Sequence, residues 1–399
     1  MEHIYEILGK GGVFILNPLN YGDIYKYLEE NHIMMDLEEI DDFKDLSIMD
    51  DDLEGRQIFL VGENHGVLAN EQLRMKYLKY FKLKTNFKYY LWELPFSVAF
   101  FLNRYLETGD EKILREIYEP LKGTFAWNRE GFNHWKELYQ FNTKLPTTRK
   151  IKIIGIDIEH QIENAFKYML YVLPEIDDTK DILKKIKKLS KDAKGEEIIE
   201  FCKELKGDME KRDGFYKKHL KENYYGFEIV NDNLLSRYRV YHGNNFNAIR
   251  DKQMYENFIR IHNRLPTGKY YGQLGLSHVF QRGTPYVRWF GSALISNESM
   301  FQDKVLSIVY VYDNCEYLYP TDLRDYQGVM TTLDLKLDML KKYAKGECTL
   351  FKLNGNDSPF DKKLLWPIVH KIPEGGVTTD YFQYIILIRN SKALTSLKK

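Results

Sequence analysis

The chain has 399 residues, and its 58 Lys and Arg balance 58 Asp and Glu, so the net charge is zero. That balance excludes the broad basic face with which a protein grips nucleic acid or an anionic membrane. With 44% hydrophobic and 29% charged residues, the composition is that of a globular chain and excludes extended disorder.

Residues 1–55 are polar and turn acidic towards their end, and read as a short helical or irregular N-terminal segment. Four runs with strand character follow, at 57–62, 88–94, 150–157 and 269–275. The first three are nearly continuous in apolar residues, as expected of strands covered on both faces. Between them lie helical patterns. In 68–81, Leu68, Leu73, Tyr77, Leu78 and Phe81 fall near one face, and at least two helices fit within 97–143. Residues 178–225 are rich in Lys and Glu with apolar residues at helical spacing, which reads as a solvated helical hairpin or a lid. A helix over 244–265 leads into the fourth strand, and two more strands are expected at 305–312 and 381–390. The predicted fold is α/β, with a mainly parallel central sheet flanked by helices. It carries a helical insertion near 161–265, with the lid segment at 178–243. Residues 56–399 read as one α/β domain, so the length does not call for the roughly 2–3 domains it first suggests.

Three further features bound the chemistry. Thirty tyrosines exceed what an apolar core absorbs, because a buried hydroxyl needs a partner. Some are expected to line a cleft, with Tyr89, Tyr90, Tyr270 and Tyr271 in strands that lead to it. The three cysteines, Cys202, Cys315 and Cys348, are widely spaced and odd in number, which argues against a disulfide framework or a cysteine zinc site. The first residues lack the pattern of a signal peptide, and the apolar run at 89–106 is broken by Glu93, Pro95 and Arg104, so no membrane span is expected there. A cytoplasmic protein is the default expectation.

Polar residues gather where the strands end. The first ends in Gly62-Glu63-Asn64-His65-Gly66, and the second carries Trp92-Glu93-Leu94-Pro95. The third ends in Gly155-Ile156-Asp157-Ile158-Glu159-His160, and the fourth runs into Gly275-Leu276-Ser277-His278. Ligands of open α/β sheets bind beyond the carboxyl ends of the strands, so parallel neighbours would bring these groups together. Glu63 is placed to orient His65 as a base. Glu93 is a charge within an apolar strand, either a site carboxylate or half of a structural ion pair. Asp157 is either a site residue or a cap for loop amides. Arg250, Met254 and Asn257 share one helix face, from which Arg250 can pin a carboxylate with its planar fork. No G-x-S-x-G elbow, Walker A loop or G-x-G-x-x-G occurs.

The ordered set GENHG (62–66), LWELP (91–95), WNREGFNHWKELYQFN (127–142), KIIGIDIE (152–159), RDKQMYEN (250–257) and GLSHV (275–279) resembles the erythromycin esterase family. It also resembles that family's wider relatives, the ChaN-like iron-uptake proteins and TIKI-type metalloproteases. The G-E-N-H spacing is closer to the latter two, and GLSH stands where the esterases tend to have Asn-x-His, so macrolide specificity is not carried over. The resemblance implies a catalytic site of Glu63, His65, Glu93, Arg250 and His278. Asp157, Asn257 and Tyr271 are expected to contact substrate. The leading expectation is a hydrolase of a small-molecule ester or related acyl bond, with His65 as general base and no required cofactor. A variant adds a divalent metal held by His65, His278 and Glu93. The alternatives are a non-enzymatic binder of haem, iron or a small ligand of ChaN-like type, a metal-dependent peptidase of TIKI type, and an effector- or toxin-like catalytic module acting on a host protein. Oligomeric state is left open.

Overall fold

The computed structural model describes residues 21–191, 195–297, 299–319, 326–334 and 339–397. Its strands are β1 (His32–Met35), β2 (Ile58–Glu63), β3 (Tyr89–Pro95), β4 (Lys152–Asp157), β5 (Tyr270–Gly275), β6 (Val305–Asp313), β7 (Cys315–Tyr319), β8 (Tyr326–Met330), β9 (Cys348–Lys352) and β10 (Tyr384–Arg389). Eight of them form one sheet in the order β1-β9-β10-β6-β2-β5-β3-β4. Every pairing from β10 across to β4 is parallel, and β9 runs antiparallel to both its neighbours. The chain is therefore α/β with a mainly parallel sheet, as its strand runs predict.

Alternate residues of β2 face opposite cores. Ile58 and Leu60 join Phe258 and Met254 of the helix Phe246–His262, while Phe59 and Val61 join Leu73 and Tyr77 of the helix Leu68–Thr85. Both faces are dry, which is why β2 reads as an unbroken apolar run. Beyond the adjacent strands β2 and β5 the chain moves to opposite sides: β2 is followed by β3 on the β5 side, and β5 by β6 on the β2 side. Such a reversal of strand order opens a crevice at the carboxyl edge.

The helical insertion is present as the helices Ile162–Val172, Lys180–Leu189, Gly195–Lys211, Asp213–Leu220 and Tyr224–His242. No helix among the described residues is long and apolar enough to cross a membrane.

Several elements depart from the predicted ones. The N-terminal segment contributes a sheet strand, since β1 pairs with β9 through His32 and Phe351, while residues 1–20 lie outside the described residues. The β7–β8 hairpin, β9 and β1 carry no strong sequence signal because each has only four or five residues. The acidic stretch near residue 50 is not merely solvated. Asp50 accepts from the Tyr80 hydroxyl at 2.8 Å, and Asp52 accepts from the Tyr384 hydroxyl. Part of the tyrosine surplus is thus core, and Tyr80, Tyr216 and Tyr384 place their hydroxyls on the acidic side chains Asp50, Asp208 and Asp52.

Candidate active site

β2 delivers Glu63 and His65, and the loop that follows is tightly held. Asn64 N donates to the Tyr312 hydroxyl at 3.0 Å, and Asn70 Nδ2 donates to Asn64 O at 2.7 Å. Gly66 O accepts from Leu318 N at 3.0 Å and from Leu394 N at 2.9 Å. Gly66 has φ +96°, and a Cβ there would meet Leu318 O at 2.5 Å. Only glycine combines this backbone with this approach. Gly66→Ala is expected to cost about 1–3 kcal/mol of stability, measured by urea unfolding, because it adds backbone strain to a steric clash.

Glu63 Oε1 lies 2.9 Å from His65 Nδ1 and 3.3 Å from Arg74 Nη2, and its Oε2 accepts from Gln273 Nε2 at 2.8 Å. Burial works to raise the Glu63 pKa, but Arg74 and His65 overcome it and hold the carboxyl below its usual value. An ionised Glu63 accepts only, so Nδ1 of His65 carries the proton and Nε2 keeps its lone pair. Burial works to lower the His65 pKa, and the bond and charge of Glu63 reverse this, leaving it raised. The ring keeps 38% of its side-chain surface exposed and lines the cleft.

Arg74 was not evident from the sequence. It lies between Glu63 and Glu71, 3.0 Å from Glu71 Oε1, with its guanidinium 4.3 Å from the Trp92 ring centroid. Glu71 is pushed up to about 7, first by burial, with Arg74 opposing and Glu63 reinforcing the rise. The only sequence signal for Arg74 was its place on the helix that leaves the first motif.

β3 turns Glu93 towards the crevice through a bulge. Trp92 pairs with Gly155, but the next pair is Pro95 with Asp157, so β3 uses an extra residue. A Cβ on Gly155 would meet Pro95 O at 2.3 Å, so the glycine is what lets the bulge approach β4. Glu93 Oε1 binds Arg250 Nη2 at 2.5 Å and lies 3.4 Å from His278 Nε2, and Oε2 accepts from Gly275 N at 2.7 Å.

Arg250 ties two strand ends together. Its Nε lies 3.0 Å and 3.2 Å from the two oxygens of Asp157, and its Nη2 also binds Asp157 Oδ2. Asp157 accepts in addition from Ile158 N at 2.8 Å and meets His160 Nε2 at 3.1 Å. It is therefore both a loop cap and an ion-pair partner. Burial opposes ionisation of Glu93 and Asp157, yet the surrounding cations hold both well below their usual range.

His278 is fixed from the other side by Asp251, whose Oδ1 lies 2.8 Å from Nδ1 and also accepts from Phe290 N at 2.8 Å. Burial would lower the His278 pKa, but Asp251 and Glu93 push it up to about 10. His278 is thus protonated at neutral pH. Its 3.3 Å approach to Arg250 Nη1 is then a meeting of two cations, tolerated because Glu93, Asp157 and Asp251 surround them. Asp251 follows Arg250 directly in sequence, and its spacing along the chain does not mark it as the partner of His278.

Glu63, His65, Glu93 and Arg250 line both of two joined cavities, of about 340 Å³ and 510 Å³. The smaller runs past Leu94, Val98, Leu102 and Trp135, and the larger reaches His278, Trp289 and the β7–β8 hairpin. Of the three residues expected to contact substrate, Asp157, Asn257 and Tyr271, none lines either cavity, and Asp157 is fully buried. Asn257 is buried and donates to Ile156 O at 3.0 Å and Asn233 Oδ1 at 3.0 Å, so it holds the end of β4 in place. Tyr271 is the second residue of β5, about 13 Å of strand before Gly275 at the usual rise. Its ring stacks on Tyr90, at 5.4 Å and 3°. Cleft tyrosines come from elsewhere: Tyr118, Tyr241, Tyr317 and Tyr319.

Fold and site together describe an erythromycin-esterase-like α/β architecture with an ionised cluster at the carboxyl edge of its sheet. No protein-family profile matches the chain, and no curated protein matches it in sequence. Solved structures do resemble it. A protein from Bacillus cereus superposes with TM-score 0.71 at 18% identity, covering 96% of this chain and 100% of its own. A structure described as a succinoglycan biosynthesis protein gives 0.72 at 16% identity, with coverages of 96% and 100%. A mutant of the erythromycin esterase EreC in its open conformation gives 0.66 at 15% identity, with coverages of 90% and 96%. At these identities the likeness is one of fold.

Proposed function

We propose that the protein is a hydrolase that uses His65 as general base to direct water onto an ester or related acyl bond. The observation that carries this reading is the Glu63–His65 pair, with Nδ1 committed to Glu63 at 2.9 Å and the ring open to the cleft. Nε2 takes a proton from the attacking water, and the ionised Glu63 stabilises the imidazolium that forms. That proton then passes to the departing alcohol. Arg250 and His278 lie beside each other in the larger cavity and supply positive charge for the developing oxyanion. A panel of generic esters tests the reading: hydrolysis by the wild type is expected to be lost in His65→Ala, and hydrolysis that survives unchanged removes His65 from the mechanism.

The same reading gives the electrophilic role to Arg250 instead of a divalent metal. Glu93 and His278, two of the three residues considered for a metal, both face the Arg250 guanidinium. Among the described residues no group of three or more His, Cys, Asp or Glu is disposed to hold a metal ion. Hydrolysis is therefore expected to be unchanged after dialysis against a chelator. Activity lost on dialysis and restored by added Zn²⁺ would return the role to a metal.

A further inference from the structure

The larger cavity contains a charge that the proposed chemistry does not use. Lys371 lies in its wall. Its backbone position is well defined: Trp366 Nε1 donates to Lys371 O at 2.8 Å, and Val369 N donates to Thr332 O at 2.9 Å. The ammonium nitrogen is 6.0 Å from the centroid of Trp289, whose ring also meets His278 at 5.9 Å. Among the described residues Lys371 has no ion-pair partner, and burial alone acts on it, pulling its pKa below the usual lysine value. Lys371 is half-buried, and a cation partly withdrawn from water without a partner carries a cost that an anion entering the cavity relieves. The neighbouring cations, unlike Lys371, already have carboxylate partners, Arg250 in Glu93 and Asp157 and His278 in Asp251 and Glu93, and in the proposed chemistry they face the reacting carbonyl. Much of the remaining wall is apolar or aromatic, including Leu276, Tyr317, Val329 and Met330.

We infer that the larger cavity is a subsite for an organic anion, a carboxylate or phosphate carried on an apolar or aromatic body, with Lys371 as its counter-ion and Trp289 as a flanking ring. Its 510 Å³ falls within the roughly 300–1,000 Å³ of small-molecule sites. The inference deepens the ester-hydrolysis reading and rests on it only for the position of the scissile bond. An anion held at Lys371 lays the body of the same molecule towards His65, because His65 lines this cavity too. The substrate class is then an acyl compound with an acidic group to one side of the bond that is cut.

Titration calorimetry on the full chain tests this with three probes: benzoate, its neutral counterpart benzamide, and phenyl phosphate. The wild type is expected to bind benzoate at least about tenfold more tightly than benzamide, the contribution of one hydrogen bond to a charged group. Lys371→Met and Lys371→Gln should erase that preference, and Lys371→Arg should keep it. His65→Ala should also keep it, so the measurement does not depend on hydrolysis. Phenyl phosphate bound more tightly than benzoate identifies phosphate as the preferred anion, and the reverse order identifies a carboxylate. Equal binding of benzoate and benzamide by the wild type overturns the proposal. So does an undiminished preference in both neutral variants, which would assign the anion to Arg250 and His278. An anion preference without ester hydrolysis keeps the subsite and removes the esterase reading. Hydrolysis without the preference does the opposite.

Discussion

Arg250→Met is expected to destabilise the protein by about 3–5 kcal/mol, the usual result of stranding one side of a buried ion pair. Asp157 has no exposed side-chain surface, and Glu93 has only 13%. Met removes the planar fork that reaches both carboxylates and leaves Asp157 with Ile158 N and His160. The sign of the pH dependence follows from the depressed carboxyl pKa values. In the wild type, groups whose pKa is lowered by folding contribute stability above their unfolded values, about pH 4–4.5, and lose it as pH falls through the lower folded values. Without Arg250 those carboxyls titrate at higher pH, so the variant regains part of its deficit by taking up protons. Urea unfolding at pH 7 and pH 5 should therefore give a deficit that narrows at pH 5. A deficit below about 1 kcal/mol, the range of exposed pairs, would mean the cluster is more hydrated than its burial implies. Arg250→Lys should restore only part of the loss, because an ammonium is a point charge that does not span two carboxylates with fixed geometry.

The second large effect concerns the base. His65→Ala is expected to lower ester hydrolysis by about 10²–10⁴. Glu63→Gln separates the base from its partner. Only neutral His65 accepts a proton from water, so the acid limb of kcat/KM should follow its pKa and lie above the ordinary value of about 6.5. Replacing Glu63 removes the carboxylate that raises that pKa and leaves the burial that lowers it, so the limb should move to lower pH while the maximal rate falls. A limb that does not move would show that the titrating base is another group. The same coupling affects stability in the opposite sense to the carboxylates. A histidine whose pKa is raised by folding contributes stability that is fully present below its unfolded value and is lost as pH rises through its folded value. Glu63→Gln should therefore cost more stability at pH 6 than at pH 9.

The residues at the strand ends were legible because period and position carry the information. A nearly unbroken apolar run marks a strand buried on both faces, and a charge at its end needs a charged or hydrogen-bonding partner. Glu63, His65, Asp157 and His278 stand at or just beyond such strand ends, and Glu93 is a charge within such a run. Arg250 is marked by the helix face it shares with Met254 and Asn257.

What the sequence determined by itself was the alternation of strands and helices and the polar residues that end each strand. Those depend on local period and on the cost of burying a charge, and neither needs a partner to be known. Only the tertiary structure decided which charges meet. Arg74 reaches Glu63 and stacks on Trp92 because the helix Leu68–Thr85 lies across the sheet. Asp251 fixes His278 from 27 positions away. Lys371 enters the cavity from a loop near the end of the chain, beside a hairpin whose strands are too short to announce themselves. Tyr271, in the right strand, is turned into the core because side chains alternate and it lies at the far end from the site. Electrostatic pairing acts over a few ångströms of space regardless of separation along the chain, so the sheet order, not the sequence order, sets the ionisation of the site.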